Sequence, residues 1–185
     1  MKTTGVLLYP LFSEYEISVA LSILKQGNHP ITTIGIEEER GLVVGESDFT
    51  CVPDTTIHEV DMSTLDSLLL PGCMDISTLF EHEALMDFLR KCAEVNPNLI
   101  IASISSSPYL LARAGLIGDR TYTVGLTQEQ RQLLQVFQEE NYRNDLVVRD
   151  GNLITARGSG FIEFGEALGK ELNLSFQMNW YQRNS

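Results

Sequence analysis

The sequence lacks the features that mark several large protein classes. Its three cysteines, Cys51, Cys73 and Cys92, are an odd number without CxxC spacing, which argues against a disulfide framework and a zinc site. No apolar run approaches the roughly 20 residues that cross a bilayer, and the N-terminus shows no cleavage site after a long apolar core. We therefore expect a cytoplasmic protein with no metal, no cofactor and no membrane partner.

Positive charge is also scarce. Lysine and arginine total 13 against 25 for aspartate and glutamate, which gives the 185-residue chain a formal net charge of −12. Such a field repels phosphate backbones, so nucleic acid is excluded as a partner. Because 43% of the residues are hydrophobic and 21% are charged, the composition fits one domain with a sizeable core, and we predict a single domain over 1–185.

Short apolar runs alternate with segments of helical periodicity. The runs are GVLLY, ITTIGI, LDSLLL and LIIASI, at 5–9, 31–36, 65–70 and 99–104. The predicted helices cover 13–27, 82–95, 107–116, 127–140 and 161–172. FTCV (49–52) is expected to add an edge strand, and DLVVRDGNLITA (145–156) two strands joined at a DG turn. Continuous apolar strands between helices indicate an α/β fold with a mostly parallel sheet covered on both faces.

Three loops follow the predicted strands on the same side of this sheet. They cover 10–16, 71–75 and 103–108. In open α/β sheets, ligands bind beyond the carboxyl ends of the strands, so we expect these loops to meet at one crevice.

Four motifs in these loops and after them occur in the order found in the ThiJ/PfpI superfamily. They are Glu16 in FSEYE, the turn Pro71-Gly72-Cys73, the run SISSSP at 103–108 and DGNLITARG at 150–158. The chain resembles that superfamily over nearly its whole length. The resemblance implies a flavodoxin-like three-layer α/β/α sandwich, related to class I glutamine amidotransferases, and a homodimer.

The resemblance also implies a functional crevice, and this sequence departs from its pattern at two positions. Ser105 stands at the elbow where the superfamily has its reactive cysteine, and Cys73 stands where its PGG turn has a second glycine. The catalytic candidates are Ser105 and Glu16. The candidates for binding a small molecule are Gly72, Cys73, Ser106, Ser107 and Arg157.

Serine at the elbow changes the chemistry that the crevice can support. A thiol with a pKa near 8.5 can become a thiolate, whereas a serine hydroxyl needs an adjacent base, usually histidine. The three histidines, His29, His58 and His82, fall outside the crevice segments. Glu16 is a poor base for an alcohol unless burial raises its pKa, and we expect Ser105 to donate a hydrogen bond to it instead.

Two neighbouring serines carry alternative roles. Ser106 and Ser107 precede Pro108 at the start of a predicted helix, where their hydroxyls are expected to cap backbone N–H groups. The alternative is that they line a small pocket for an anion or a carbonyl.

These residues leave three hypotheses. The first is a protein without cysteine-dependent activity, a pseudoenzyme, that keeps a crevice for a small molecule or partner. The second is a hydrolase, an amidase or a glyoxalase-like enzyme that uses Ser105 with Glu16, or a relocated thiol at Cys73. The third is a regulatory protein that acts through dimerisation.

Overall fold

Strands and helices alternate along residues 2–181, which is the part of the chain that the computed structural model describes. Residues 1 and 182–185, the ends of the predicted domain, lie outside this part. The strands are β1 (Thr3–Leu8), β2 (Ile31–Gly35), β3 (Val43–Val44), β4 (Thr50–Cys51), β5 (Thr55–Thr56), β6 (Leu65–Leu70), β7 (Ile100–Ile104), β8 (Val147–Asp150) and β9 (Leu153–Ala156). The helices are α1 (Glu14–Gln26), α2 (Glu83–Val95), α3 (Pro108–Arg113), α4 (Gln128–Leu134) and α5 (Phe161–Glu171).

Seven of these strands form one sheet in the order β5-β2-β1-β6-β7-β9-β8. Neighbouring strands are parallel except β8 and β9, which form the antiparallel pair predicted around the DG turn. The predicted α/β fold with a mostly parallel sheet is therefore confirmed.

The apolar strands are buried because helices cover both faces of the sheet. Every residue of β1 is buried, which is the pattern of a parallel strand rather than of a sheet open to water on one side. The chain runs from β1 through α1 to β2 in one direction across the sheet, and from β6 through α2 to β7 in the other. Because such crossovers are right-handed, α1 and α2 lie on opposite faces. Helix α5 packs beside α1, and α3 packs beside α2.

Helix α2 has the apolar face that its sequence periodicity predicts. Its apolar residues Leu85, Phe88, Leu89 and Cys92 are buried together against the sheet, as predicted. The ring of His82 caps the helix start, since its Nδ1 accepts from the Leu85 N–H at 3.2 Å. No helix within residues 2–181 is long and apolar enough to cross a bilayer.

Two predicted elements differ in the structure. FTCV is not an edge strand of the main sheet, because Thr50–Cys51 pairs with Val43–Val44 in a separate hairpin. The helix predicted over 127–140 ends at Leu134. Gln135 adopts a left-handed conformation with φ of 54°, and the chain then turns inward so that Phe137 stacks on Tyr122 with ring centroids 5.2 Å apart. Aromatic packing thus outweighs the helical propensity of the glutamine-rich segment.

Candidate functional site

The three predicted loops meet at the carboxyl ends of β1, β6 and β7. The loop after β1 pairs with the loop after β6, since the Ser13 N–H donates to the Gly72 carbonyl at 2.9 Å and the Met74 N–H to the Leu11 carbonyl at 3.0 Å. A cavity of about 600 Å³ opens above them. Ser105 and Glu16 both line it.

Ser105 forms a strained elbow between β7 and α3. Its φ of 63° lies in the left-handed region, which a residue other than glycine seldom adopts. Two backbone hydrogen bonds hold this conformation: the Ser105 N–H donates to the Ala156 carbonyl at 2.8 Å, and the Gly125 N–H donates to the Ser105 carbonyl at 2.6 Å. Such conformations persist where the surrounding structure enforces them, and they concentrate at functional sites.

Glu16 lies directly behind the elbow and is 3% exposed. Its Oε2 accepts from the Gly72 N–H at 2.9 Å, and its Oε1 accepts from the Tyr15 hydroxyl at 3.2 Å. The Ser105 side chain lies next to this carboxylate and helps to lower the pKa of Glu16. Glycine is required at position 158, because a Cβ there would overlap the Glu16 carboxylate.

We expect Glu16 to titrate above the ordinary glutamate value. Burial raises the pKa of Glu16, although hydrogen bonds from Ser105, Tyr15 and the Gly72 N–H oppose the rise. Because the folded-state pKa lies above the unfolded one, Glu16 stabilises the fold at low pH, and this contribution disappears as the pH rises through the folded-state pKa.

The Glu16→Gln variant tests this prediction, because the glutamine side chain has nearly the same shape and does not titrate. Its free energy of unfolding relative to wild type should therefore increase between about pH 4 and pH 8. Urea denaturation of both proteins across this range measures the difference. A difference that stays constant or falls as the pH rises contradicts the raised pKa.

The backbone donors of the turn after β6 are already occupied. The Gly72 N–H binds Glu16, and the Cys73 N–H donates to Ser106 Oγ at 3.0 Å. An acyl-transfer site needs free N–H groups that are aimed at the developing oxyanion. In this crevice, both donors would first have to leave a side-chain acceptor.

Ser106 and Ser107 do not cap α3, so that prediction was wrong. Ser106 is buried at the cavity edge, and its Oγ also donates to the Cys73 carbonyl at 3.0 Å. Ser107 is fully buried and does not line the cavity; its Oγ lies 2.7 Å from Ser103 Oγ and 2.9 Å from the Leu70 carbonyl, to which it donates. The two hydroxyls satisfy backbone and side-chain groups between β6 and β7, which leaves no free hydroxyl for the helix start.

The remaining candidates differ in their relation to the cavity. Cys73 lines it but is 7% exposed, its Sγ lies 3.4 Å from the Pro10 carbonyl, and burial raises the pKa of its thiol. This environment disfavours a reactive thiolate. Gly72 lies beneath the floor of the cavity, next to Glu16 and Ser105. Arg157 lies outside the lining and donates from Nη1 to Asn144 Oδ1 at 2.8 Å.

The described histidines lie outside the cavity lining. His82 caps α2, and His29 lies 3.2 Å from Asp66. Residues 2–181 also contain no group of three histidine, cysteine or acidic side chains placed to hold a metal ion.

Several residues that line the cavity are not among the site residues predicted from the sequence. Glu46 reaches the cavity from the turn between β3 and β4, and Tyr15 from the start of α1. The segment 125–134 closes the opposite side. A capping box, in which Thr127 and Gln130 exchange hydrogen bonds, fixes the start of α4 and can be read from the TQEQ spacing. The spacing does not reveal that this helix lies over the crevice.

Comparisons with known proteins agree with this geometry. A model of the DJ-1/PfpI family matches residues 2–171. Protein dj-1beta of Drosophila melanogaster is 30% identical over 173 residues, which cover 92% of this chain and 89% of that protein. The deglycase PfpI of Pyrococcus furiosus is 25% identical over 152 residues, covering 80% and 86% of the two chains. The crystal structure of a DJ-1 superfamily protein from Salmonella typhimurium superposes with a TM-score of 0.79 at 28% identity, covering 94% and 91%.

Proposed function

The chain belongs to the DJ-1/PfpI family, and we propose that it binds a small molecule in its crevice and lacks the family's cysteine-dependent activity. The observation that carries the proposal is Ser105 at the elbow, with no histidine among the described lining residues to activate it. The resemblance to this family predicts a cysteine at position 105.

The neighbouring carboxylate does not compensate for the missing thiol. An alcohol is about as weak an acid as water, so proton transfer from Ser105 to a carboxylate is unfavourable by on the order of ten pKa units. Although burial raises the pKa of Glu16, hydrogen bonds to the carboxylate limit that rise. Ser105 is therefore better suited to donate a hydrogen bond than to attack a substrate.

The crevice itself supports a binding role. Its volume of about 600 Å³ is within the range of small-molecule sites, and polar and apolar side chains both line it. The names of related proteins do not define one reaction, since they include a deglycase and an isonitrile hydratase. The homodimer and the cytoplasmic location stay predictions.

One observation favours a second candidate function. The strained elbow keeps Ser105 at the edge of the cavity next to a buried carboxylate, which is the arrangement that a serine hydrolase with Glu16 as base would use. A relocated thiol is not a third candidate, because Cys73 is buried and the pKa of its thiol is raised by that burial.

Turnover separates the two candidates. Wild type and Ser105→Ala are assayed with methylglyoxal and with small ester and amide substrates. We expect equal and negligible rates, because removing a hydroxyl that only donates a hydrogen bond leaves the chemistry unchanged. Loss of a measurable rate in Ser105→Ala would establish the hydrolase and overturn the binding proposal.

A further inference from the structure

The lining of the crevice combines apolar and acidic side chains. The apolar side chains are Met74, Ile76, Phe80, Leu126, Leu133 and Leu134. Two of these side chains are strongly exposed at the rim, Leu133 at 83% and Met74 at 66%. Exposed apolar side chains grouped at the mouth of a cavity are typical of a surface that a ligand covers.

The charged lining residues all carry one sign. The ionisable lining residues with formal charge are Glu16, Glu46 and Asp75, and no lysine, arginine or histidine is found among the described lining residues. The ion pairs between described residues use other carboxylates. The potential inside the crevice is therefore negative and repels carboxylate and phosphate ligands.

Neutral groups orient two of these carboxylates without removing their charge. Glu46 Oε1 accepts from the Ser13 hydroxyl at 3.0 Å. Asp75 Oδ1 accepts from the Ser77 N–H at 3.1 Å and from its hydroxyl at 2.6 Å. Each carboxylate keeps an oxygen for a further donor, since a carboxylate offers about four acceptor positions.

A metal ion does not fit this arrangement. No three acidic, histidine or cysteine side chains within residues 2–181 lie close enough together to coordinate one. The carboxylates instead share the cavity lining with two aromatic side chains, Tyr15 and Phe80. Aromatic faces and separate carboxylates attract an organic cation, whereas a divalent ion needs its ligands clustered.

We propose that the crevice selects an organic ammonium ion that carries an apolar group. The ammonium group lies near Glu46 and Asp75, and the hydrocarbon contacts the apolar lining residues. This inference rests on the proposed binding function and gives it a ligand class.

A set of three probes with the same hydrocarbon tests the charge preference. Phenylbutylamine, phenylbutanol and phenylbutyrate are titrated into the wild-type protein at low and high salt, with binding followed by calorimetry. We expect the amine to bind more tightly than the alcohol, the carboxylate to bind most weakly, and the preference to shrink at high salt. Equal binding of amine and carboxylate, or no binding of the amine, overturns the inference.

Charge-removing variants locate the site. Glu46→Gln and Asp75→Asn should each weaken amine binding by about threefold to tenfold and leave alcohol binding unchanged. Glu94→Gln is the matched control, because it removes the same charge from an exposed position on α2 outside the cavity. An equal effect of Glu94→Gln contradicts the proposed site. The outcome is independent of turnover, so a catalytic Ser105 would overturn the proposed function without altering this result.

Discussion

The Ser105→Cys variant is expected to gain a thiol that reacts at least about a hundredfold faster than Cys92. An ordinary thiol with a pKa near 8.5 is roughly 3% thiolate at pH 7. Burial raises the pKa of Cys92 to about 12, which reduces its thiolate fraction by several further orders of magnitude. Because the thiolate is the nucleophile and the elbow is partly exposed to the cavity, the new cysteine should dominate labelling over the buried thiols.

Iodoacetamide labelling followed by peptide mass spectrometry measures each cysteine separately. The matched control is Ser107→Cys, two residues further along and fully buried, where no comparable gain is expected. Two outcomes would contradict the interpretation that the elbow is intact and lacks only a thiol. One is labelling at position 105 that is no faster than at Cys92, and the other is equally fast labelling at position 107.

The Arg131→Met variant is expected to lose about 2 to 4 kcal/mol of unfolding free energy. Arg131 is 6% exposed and binds both carboxylate oxygens of Glu139, at 2.8 and 2.9 Å. Its Nη1 donates to the Leu126 carbonyl at 2.9 Å, and its guanidinium carbon lies 3.7 Å from the centre of the Tyr142 ring. Removing the cation leaves a carboxylate without its partner and separates α4 from the segment that follows it.

The control for this change is Arg90→Met, which breaks an exposed pair with Asp87 and should cost less than about 1 kcal/mol. Urea denaturation of the two variants gives the comparison. Similar losses in both would show that Arg131 does not fix the position of the segment 125–134. If Arg131 fixes this segment, amine binding should weaken in Arg131→Met as well, because Leu133 and Leu134 belong to the same helix.

The sequence predicted those parts of the fold that local pattern determines. LDSLLL and LIIASI became buried parallel strands because neither has a polar face that could meet water. The loops after the strands converged because the carboxyl ends of parallel strands share one edge of the sheet. The first consequence follows from the continuous apolar runs, and the second follows from the alternation of strands with helices.

Long-range packing determined what the sequence did not indicate. Ser107 turned inward to bind Ser103 and the Leu70 carbonyl, and no local signal distinguishes that from capping. The end of α4 depends on the stacking of Phe137 on Tyr122, a residue 15 positions earlier in the chain. The positive φ of Ser105 likewise depends on hydrogen bonds to Ala156 and Gly125.

The ratio of kcat/KM for wild type to that for Ser105→Ala, measured with nitrophenyl acetate, shows whether Ser105 is a nucleophile. Both proteins are purified in parallel, and the uncatalysed rate is subtracted. We expect both proteins to match the uncatalysed rate and to show no burst of nitrophenol, because no acyl-enzyme forms at Ser105. A ratio above about one hundred, together with a stoichiometric burst in wild type alone, would show that the serine is a nucleophile.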